Sequence, residues 1–253
     1  MGKAVKKCFP FFIIYLIPFS LGAIFAVFLL DTIKNSPTHY PNLDIVGDNL
    51  VANEYDEYLL LINHESSLEA SYVPPDLTPL SATRKDGRKV QFARAECAYA
   101  LEKMIDEMKK DGVWDEKLSV TSAYRSYEYQ EYLFNVYVEN RIKGGMNYDE
   151  AYKDVKKSVA LAGHSEHQSG LCVDFHNKSY ANTSFAETEQ YKWIEQNAHR
   201  FGFIIRYSKG KEQITKISFE PWHLRYVTPY HATQMYENNL CLEEYRSACI
   251  SNK

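Results

Sequence analysis

At 253 residues, 45% of them apolar, the chain is long enough for one enzyme-sized domain with an appendage, which excludes wholesale disorder. A net charge of −4 supplies no concentrated basic face and argues against nucleic acid as a partner. The 20 tyrosines and 13 phenylalanines suit sugar or peptide contacts, although the same residues serve equally well as core.

The first thirty residues differ from all that follow. Lys3, Lys6 and Lys7 precede an uncharged stretch from Cys8 to Leu30, which Asp31 closes. A run of about 23 residues at 1.5 Å rise matches the hydrocarbon thickness of a bilayer. Lysines on the cytoplasmic side would then place the rest of the chain outside. A cleaved signal peptide is the rival reading, but its apolar core is normally shorter and ends in a small-x-small site. Here the run continues through Phe25, Val27, Phe28, Leu29 and Leu30 without one. The sequence thus predicts an anchor over 1–31, a stalk over 32–56 and a domain over 57–253. The corresponding location is the cell membrane, single-pass, with the domain extracellular. Pro37, Pro41, Asn35, Asn42 and Gly47 give the stalk its loop character. In that topology Cys8 cannot meet the other cysteines. Cys97, Cys172, Cys241 and Cys249 face a compartment where disulfides persist, and they allow three pairings. A local Cys241–Cys249 staple and buried free thiols are the two outcomes to distinguish.

Within the domain, Leu59–Asn63 reads as a short strand, and Tyr72 to Leu80 is too proline-rich for helix and should wrap the surface. Ala95, Ala98, Leu101, Met104, Ile105 and Met108 recur at three and four, predicting a helix from Ala93 to Lys110. Leu118–Ala123 alternates as a strand. A second helix covers Ser126–Gly144, with Tyr129, Leu133, Phe134, Tyr137 and Ile142 inward. Further helices are predicted at Asn147–Leu161 and Thr188–Gly202. Strands follow at Gly170–Phe175, Phe203–Tyr207 and around Ile217–Phe219. Helices and strands mix without a beta-alpha-beta repeat, which makes the class α+β.

The chemistry concentrates in two segments. In Gly163-His-Ser-Glu-His-Gln-Ser-Gly-Leu-Cys-Val-Asp-Phe175, His167 and Asp174 lie seven apart across Gly170. A turn ending at Gly170 would bring two competent zinc ligands together. In Phe219-Glu-Pro-Trp-His-Leu-Arg-Tyr226, His223 supplies a third ligand and Glu220 a base. Three protein ligands leave a coordination position open for water, as hydrolysis requires. Trp222 can wall the site. Against this stands a surface His–Asp hydrogen bond and an ordinary strand end, and no His-Glu-x-x-His helix is present.

These segments resemble the signatures of the VanY-like D-alanyl-D-alanine carboxypeptidases, a Ser-x-His-x-x-Gly-x-Ala-x-Asp stretch and a Glu-x-Trp-His stretch. Ser165, His167, Gly170 and Asp174 match the first, and Glu220, Trp222 and His223 the second. Ser122-Ala-Tyr-Arg-Ser126 with Gln130, and Tyr72 to Leu77, resemble two further blocks of the family, so the likeness spans about residues 58–230. Cys172 stands where alanine is usual, and is expected to face away from Asp174's neighbours. Ala123 replaces a glycine. The resemblance implies the compact zinc-peptidase fold shared with the Hedgehog signalling domain. It implies zinc (Zn2+) on His167, Asp174 and His223, Glu220 as catalytic base, and Arg125 binding substrate and holding the oxyanion. Gln130, Ser165 and Trp222 would contact the substrate, while His164 would be structural. The implied activity is removal of the terminal D-alanine from peptidoglycan stem peptides by a monomer. Its alternatives are an L,D-carboxypeptidase on tetrapeptide stems and a catalytically silent cell-wall binding module.

Overall fold

The computed structural model describes residues 57–251. The predicted anchor and stalk lie outside these residues. The expected single-pass membrane location, with the domain extracellular, is corrected. Among the described residues no helix is long and apolar enough to cross a membrane. The longest has 17 residues and is rich in charge, whereas a span needs about 20 apolar ones.

The chain enters through a 3-10 turn at Glu57–Leu59 rather than the predicted strand. Strands β1 (Leu77–Pro79) and β2 (Phe92–Arg94) form a small antiparallel pair. Pro79 is tolerated there because it ends an edge strand. Helix α1 (Ala95–Lys110) starts beside Asp76, whose carboxylate accepts from Ala95 N and from Arg94 Nε. Glu96 in its first turn and Lys109 and Lys110 in its last complement the helix dipole.

The main sheet is built from β3 (Ser119–Ser122), β4 (Cys172–His176), β5 (Phe203–Tyr207) and β6 (Glu220–Tyr226). Its order is β3-β4-β6-β5, antiparallel throughout. Val173, Phe175, Leu224 and Tyr226 pack with Leu101, Met104 and Met108 of α1 and with Ile194 of α4 (Glu189–Asn197) in the principal core. Burying each such side chain contributes about 1.5–3 kcal/mol. Strand residues alternate between faces, so Cys172, Asp174 and His223 belong to the opposite face.

Helix α2 (Tyr127–Lys143) is capped by Ser126, whose Oγ accepts from Tyr129 N. The inward face differs from the sequence expectation. Gln130, Phe134 and Val138 are buried, whereas Tyr129, Tyr137 and Ile142 are more than 40% exposed. The Tyr129–Leu133–Tyr137 stripe lines a cavity instead of the core. Helix α3 (Tyr148–Val155) opens with an Asn147/Glu150 capping box and stops six residues before the predicted end. Ala160 O then accepts from Gln130 Nε2, which fixes the following segment against α2. Residues 217–219 form no strand, and pairing begins at Glu220 despite Pro221. A short turn of helix, α5 (Glu212–Thr215), precedes it. The chain closes with α6 (Pro229–Glu237) and α7 (Leu242–Ser251), two helices not foreseen in the sequence.

Cys97, Cys172, Cys241 and Cys249 are all free thiols. Cys241 immediately precedes α7 and Cys249 lies eight positions on within it, a helical separation of about 12 Å, beyond the roughly 7 Å Cα limit for a bridge. The local staple is therefore excluded.

Candidate active site

The site begins at a backbone turn. After Ser165, a 3-10 turn over Glu166–Ser169 ends at Gly170 with φ +68, and β4 starts two residues later. A Cβ on Gly170 would stand 3.2 Å from Arg94 Cγ and from Leu77 Cδ2, a tight contact added to a left-handed dihedral that favours glycine. The reversal brings Asp174 Oδ1 to 3.5 Å from His167 Nε2. The β4–β6 register sets Asp174 opposite His223, and Oδ1 lies 3.3 Å from His223 Nδ1. Both histidines are 4% exposed and Asp174 8%.

The surroundings decide which ring nitrogen of each histidine is free. His167 Nδ1 lies 2.6 Å from Ala123 O, a group that only accepts, so Nδ1 carries the proton and Nε2 keeps its lone pair. His223 Nε2 faces the Glu166 carboxylate at 3.4 Å, which leaves Nδ1 as its donor. Asp174 Oδ1 is buried without a hydrogen bond. Zinc bonds of about 2.0–2.1 Å in a tetrahedron place ligand atoms roughly 3.3–3.5 Å apart. Asp174 Oδ1 stands at this spacing from both His167 Nε2 and His223 Nδ1. Burial opposes charge on Asp174, but His167 and His223 hold its carboxyl well below the usual range. Burial also opposes protonation of His223, yet Cys172, Asp174 and Glu166 raise it well above the ordinary imidazole value. A metal held there would take the place of that proton.

Glu220 opens β6 with Oε2 3.8 Å from His223 Nδ1. Burial pushes its carboxyl up to about 7, with His223 opposing and Asp174 adding to the rise. Arg125 Nη2 lies 2.7 Å from His167 Nε2 and 3.3 Å from Asp174 Oδ2. Its Nε donates to Ser122 and its Nη1 to Gln130 Oε1. Both ends of the buried Gln130 amide are thus engaged within the protein. These groups, with Ser165, Trp222 and Tyr207, line a cavity of about 540 Å³. Trp222 also packs against the principal core, as strand alternation from His223 requires. His164 Nδ1 pairs with Asn63 O.

Two features of the site were not read from the sequence. Glu166, fully buried, bonds Arg206 Nε through Oε1 at 2.7 Å, and Arg225 Nη1 lies 2.8 Å from the same oxygen. Burial raises its pKa, but Arg206 and Arg225 outweigh this and hold it well below the carboxylate range. Arg206 in turn forms a two-pronged pair with Glu243 of α7. The second feature corrects an expectation. Cys172 does not face away, because i and i+2 on a strand share a face. Its Sγ falls within 4.8 Å of ring nitrogens of His167 and His223. Burial raises the thiol and the two imidazoles outweigh it, leaving it at about 7.

The model of VanY, the D-alanyl-D-alanine carboxypeptidase family, matches residues 91–229, more than half of the chain. The chain belongs to the VanY family. A D-alanyl-D-alanine carboxypeptidase of Enterococcus faecalis is 35% identical over 76% of this chain and 67% of its own length. Among solved structures, the LdcB LD-carboxypeptidase superposes with TM-score 0.66 at 38% identity, covering 77% of this chain and 88% of that one. The VanY D,D-pentapeptidase of a VanB-type resistance cassette, solved with Zn(II), gives 0.63 at 34% identity, covering 75% and 99%. The mixed helix and sheet fold is that of these VanY and LdcB domains. Zinc is the family's metal, and the buried donors described above suit it.

Proposed function

We propose that this VanY-family protein is a zinc-dependent D-alanyl-D-alanine carboxypeptidase, removing the terminal D-alanine of peptidoglycan stem peptides. The observation that carries the reading is the convergence of His167 Nε2, Asp174 Oδ1 and His223 Nδ1 beside Glu220 and Arg125 in one cavity. These three residues would hold zinc, and zinc supplies a Lewis acid that polarises the scissile carbonyl and acidifies water. Glu220 takes the proton of the attacking water and passes it to the departing amine. Arg125 Nη2 occupies the His167 nitrogen that would bind the metal, so a bound metal would take that lone pair and leave this donor free for the substrate's carboxylate or developing oxyanion. Gln130 and Ser122 hold the guanidinium in place for that role. Ser165 and Trp222 meet the substrate at the cavity wall. Residues 57–253 form the catalytic domain, acting as a monomer.

A second reading, cleavage of tetrapeptide stems as an L,D-carboxypeptidase, is favoured by the likeness to LdcB. Incubation with synthetic tetra- and pentapeptide stems, followed by mass spectrometry, separates the two. Loss of 71 Da, on the order of one alanine residue, from the pentapeptide alone supports D,D-cleavage, by hydrolysis of one peptide bond. Loss from the tetrapeptide alone supports L,D-cleavage, and no loss from either sinks both. In the same preparation zinc content should approach one per chain and collapse in His167→Ala and His223→Ala. Full occupancy in both variants would refute the ligand set.

A further inference from the structure

Cys172 is a buried nucleophile that the proposed reaction does not use. It is fully buried on β4, two residues before Asp174 and on the same face. Its Sγ and one ring nitrogen each of His167 and His223 lie within 4.8 Å of one another. Asp174 Oδ1, buried without a hydrogen bond, lies 3.5 Å from His167 Nε2 and 3.3 Å from His223 Nδ1. The two imidazoles thus have a carboxylate oxygen and a thiol sulfur as neighbours. Three protein donors leave a zinc site open, whereas four close it in a tetrahedron. The alanine usual at this position in the family-like motif offers no donor, so the added sulfur changes the donor count and not only the packing.

We propose that Cys172 is a fourth protein donor to the zinc, closing the resting site with a thiolate that lets go when substrate enters. This rests on the zinc assignment above. Binding breaks the S–H bond, forms a sulfur–metal bond and releases one proton to solvent, with no change of oxidation state. A set containing sulfur also holds soft ions more tightly than His–Asp–His alone.

Cobalt(II) put in place of zinc in the reduced full-length chain tests this. The expected spectrum has visible d–d bands together with a near-ultraviolet thiolate-to-cobalt charge-transfer band. Cys172→Ser, close to isosteric, and Cys172→Ala should keep the visible bands and lose the near-ultraviolet one. A competing chelator should strip zinc from either variant on the order of tenfold more readily. D-alanyl-D-alanine at saturation should bleach the band in the wild type. Visible bands without a near-ultraviolet band in the wild type would overturn the role of Cys172 while leaving the three-ligand site intact. A band that survives saturation would overturn the release step. Failure of the wild type to take up cobalt at all would remove both the zinc assignment and this proposal.

Discussion

In the proposed reaction, the work of the base at Glu220 separates from the work of the ligands. Its carboxylate stands 3.8 Å from His223, buried enough to be raised to about 7, and a nearby divalent ion would draw that value down. Glu220→Gln keeps the size and removes the ability to accept a proton. The variant should fold and retain zinc, while release of D-alanine falls by roughly a hundredfold or more. Zinc analysis beside the activity assay decides the matter, since loss of metal together with activity would make Glu220 a ligand. That His167, Asp174, His223 and Glu220 are candidates was readable in the sequence because type and spacing carry ligand chemistry, and the fold brings the four together. Glu166 was not. A carboxylate between Ser165 and His167 carries no mark of the two arginines, some forty and sixty positions on, that fold against it.

At the scale of elements, the hinge between the 3-10 turn and β4 sets the spacing of His167 and Asp174. Gly170→Ala would impose a left-handed dihedral on a side-chain-bearing residue, costing about 1–2 kcal/mol. Its methyl would also press on Arg94 and Leu77. Urea unfolding should show a lower midpoint, and zinc affinity should fall in the same variant. An unchanged midpoint would mean that the turn relaxes freely. Helices α1 and α2 were legible from their periodicity and caps, with boundaries close to those observed. The face of α2 was misassigned because tyrosines suit a substrate cleft as well as a core. Strand β6 was obscured by Pro221, and α6 and α7 gave no strong pattern.

Across the whole molecule, a line of buried charge joins the site to the C-terminal helix: His223, Glu166, Arg206, Glu243. Glu166→Gln would leave Arg206 and Arg225 short of a counter-charge, and breaking such a buried set costs about 3–5 kcal/mol. Chemical denaturation reads this directly. Arginine pairing holds Glu166 and Glu243 below ordinary carboxyl values against the opposing effect of burial. The unfolded chain therefore binds more protons once pH falls below about 4.3, the free glutamate value. Stability from these pairs is complete above that point and drains away as pH drops through the lower folded values. Melting temperatures should hold between pH 7 and 5 and fall steeply towards pH 3, and a flat profile would contradict the pairing. The family match ends at residue 229, yet Glu243 lies beyond it on α7. From the last residues of α6 into the α6–α7 connection, the chain at residues 236–239 is exposed. A protease cutting there would sever the covalent tie of α7 and Glu243 to the rest of the domain, leaving only packing and the Arg206 pair to hold the charge line together.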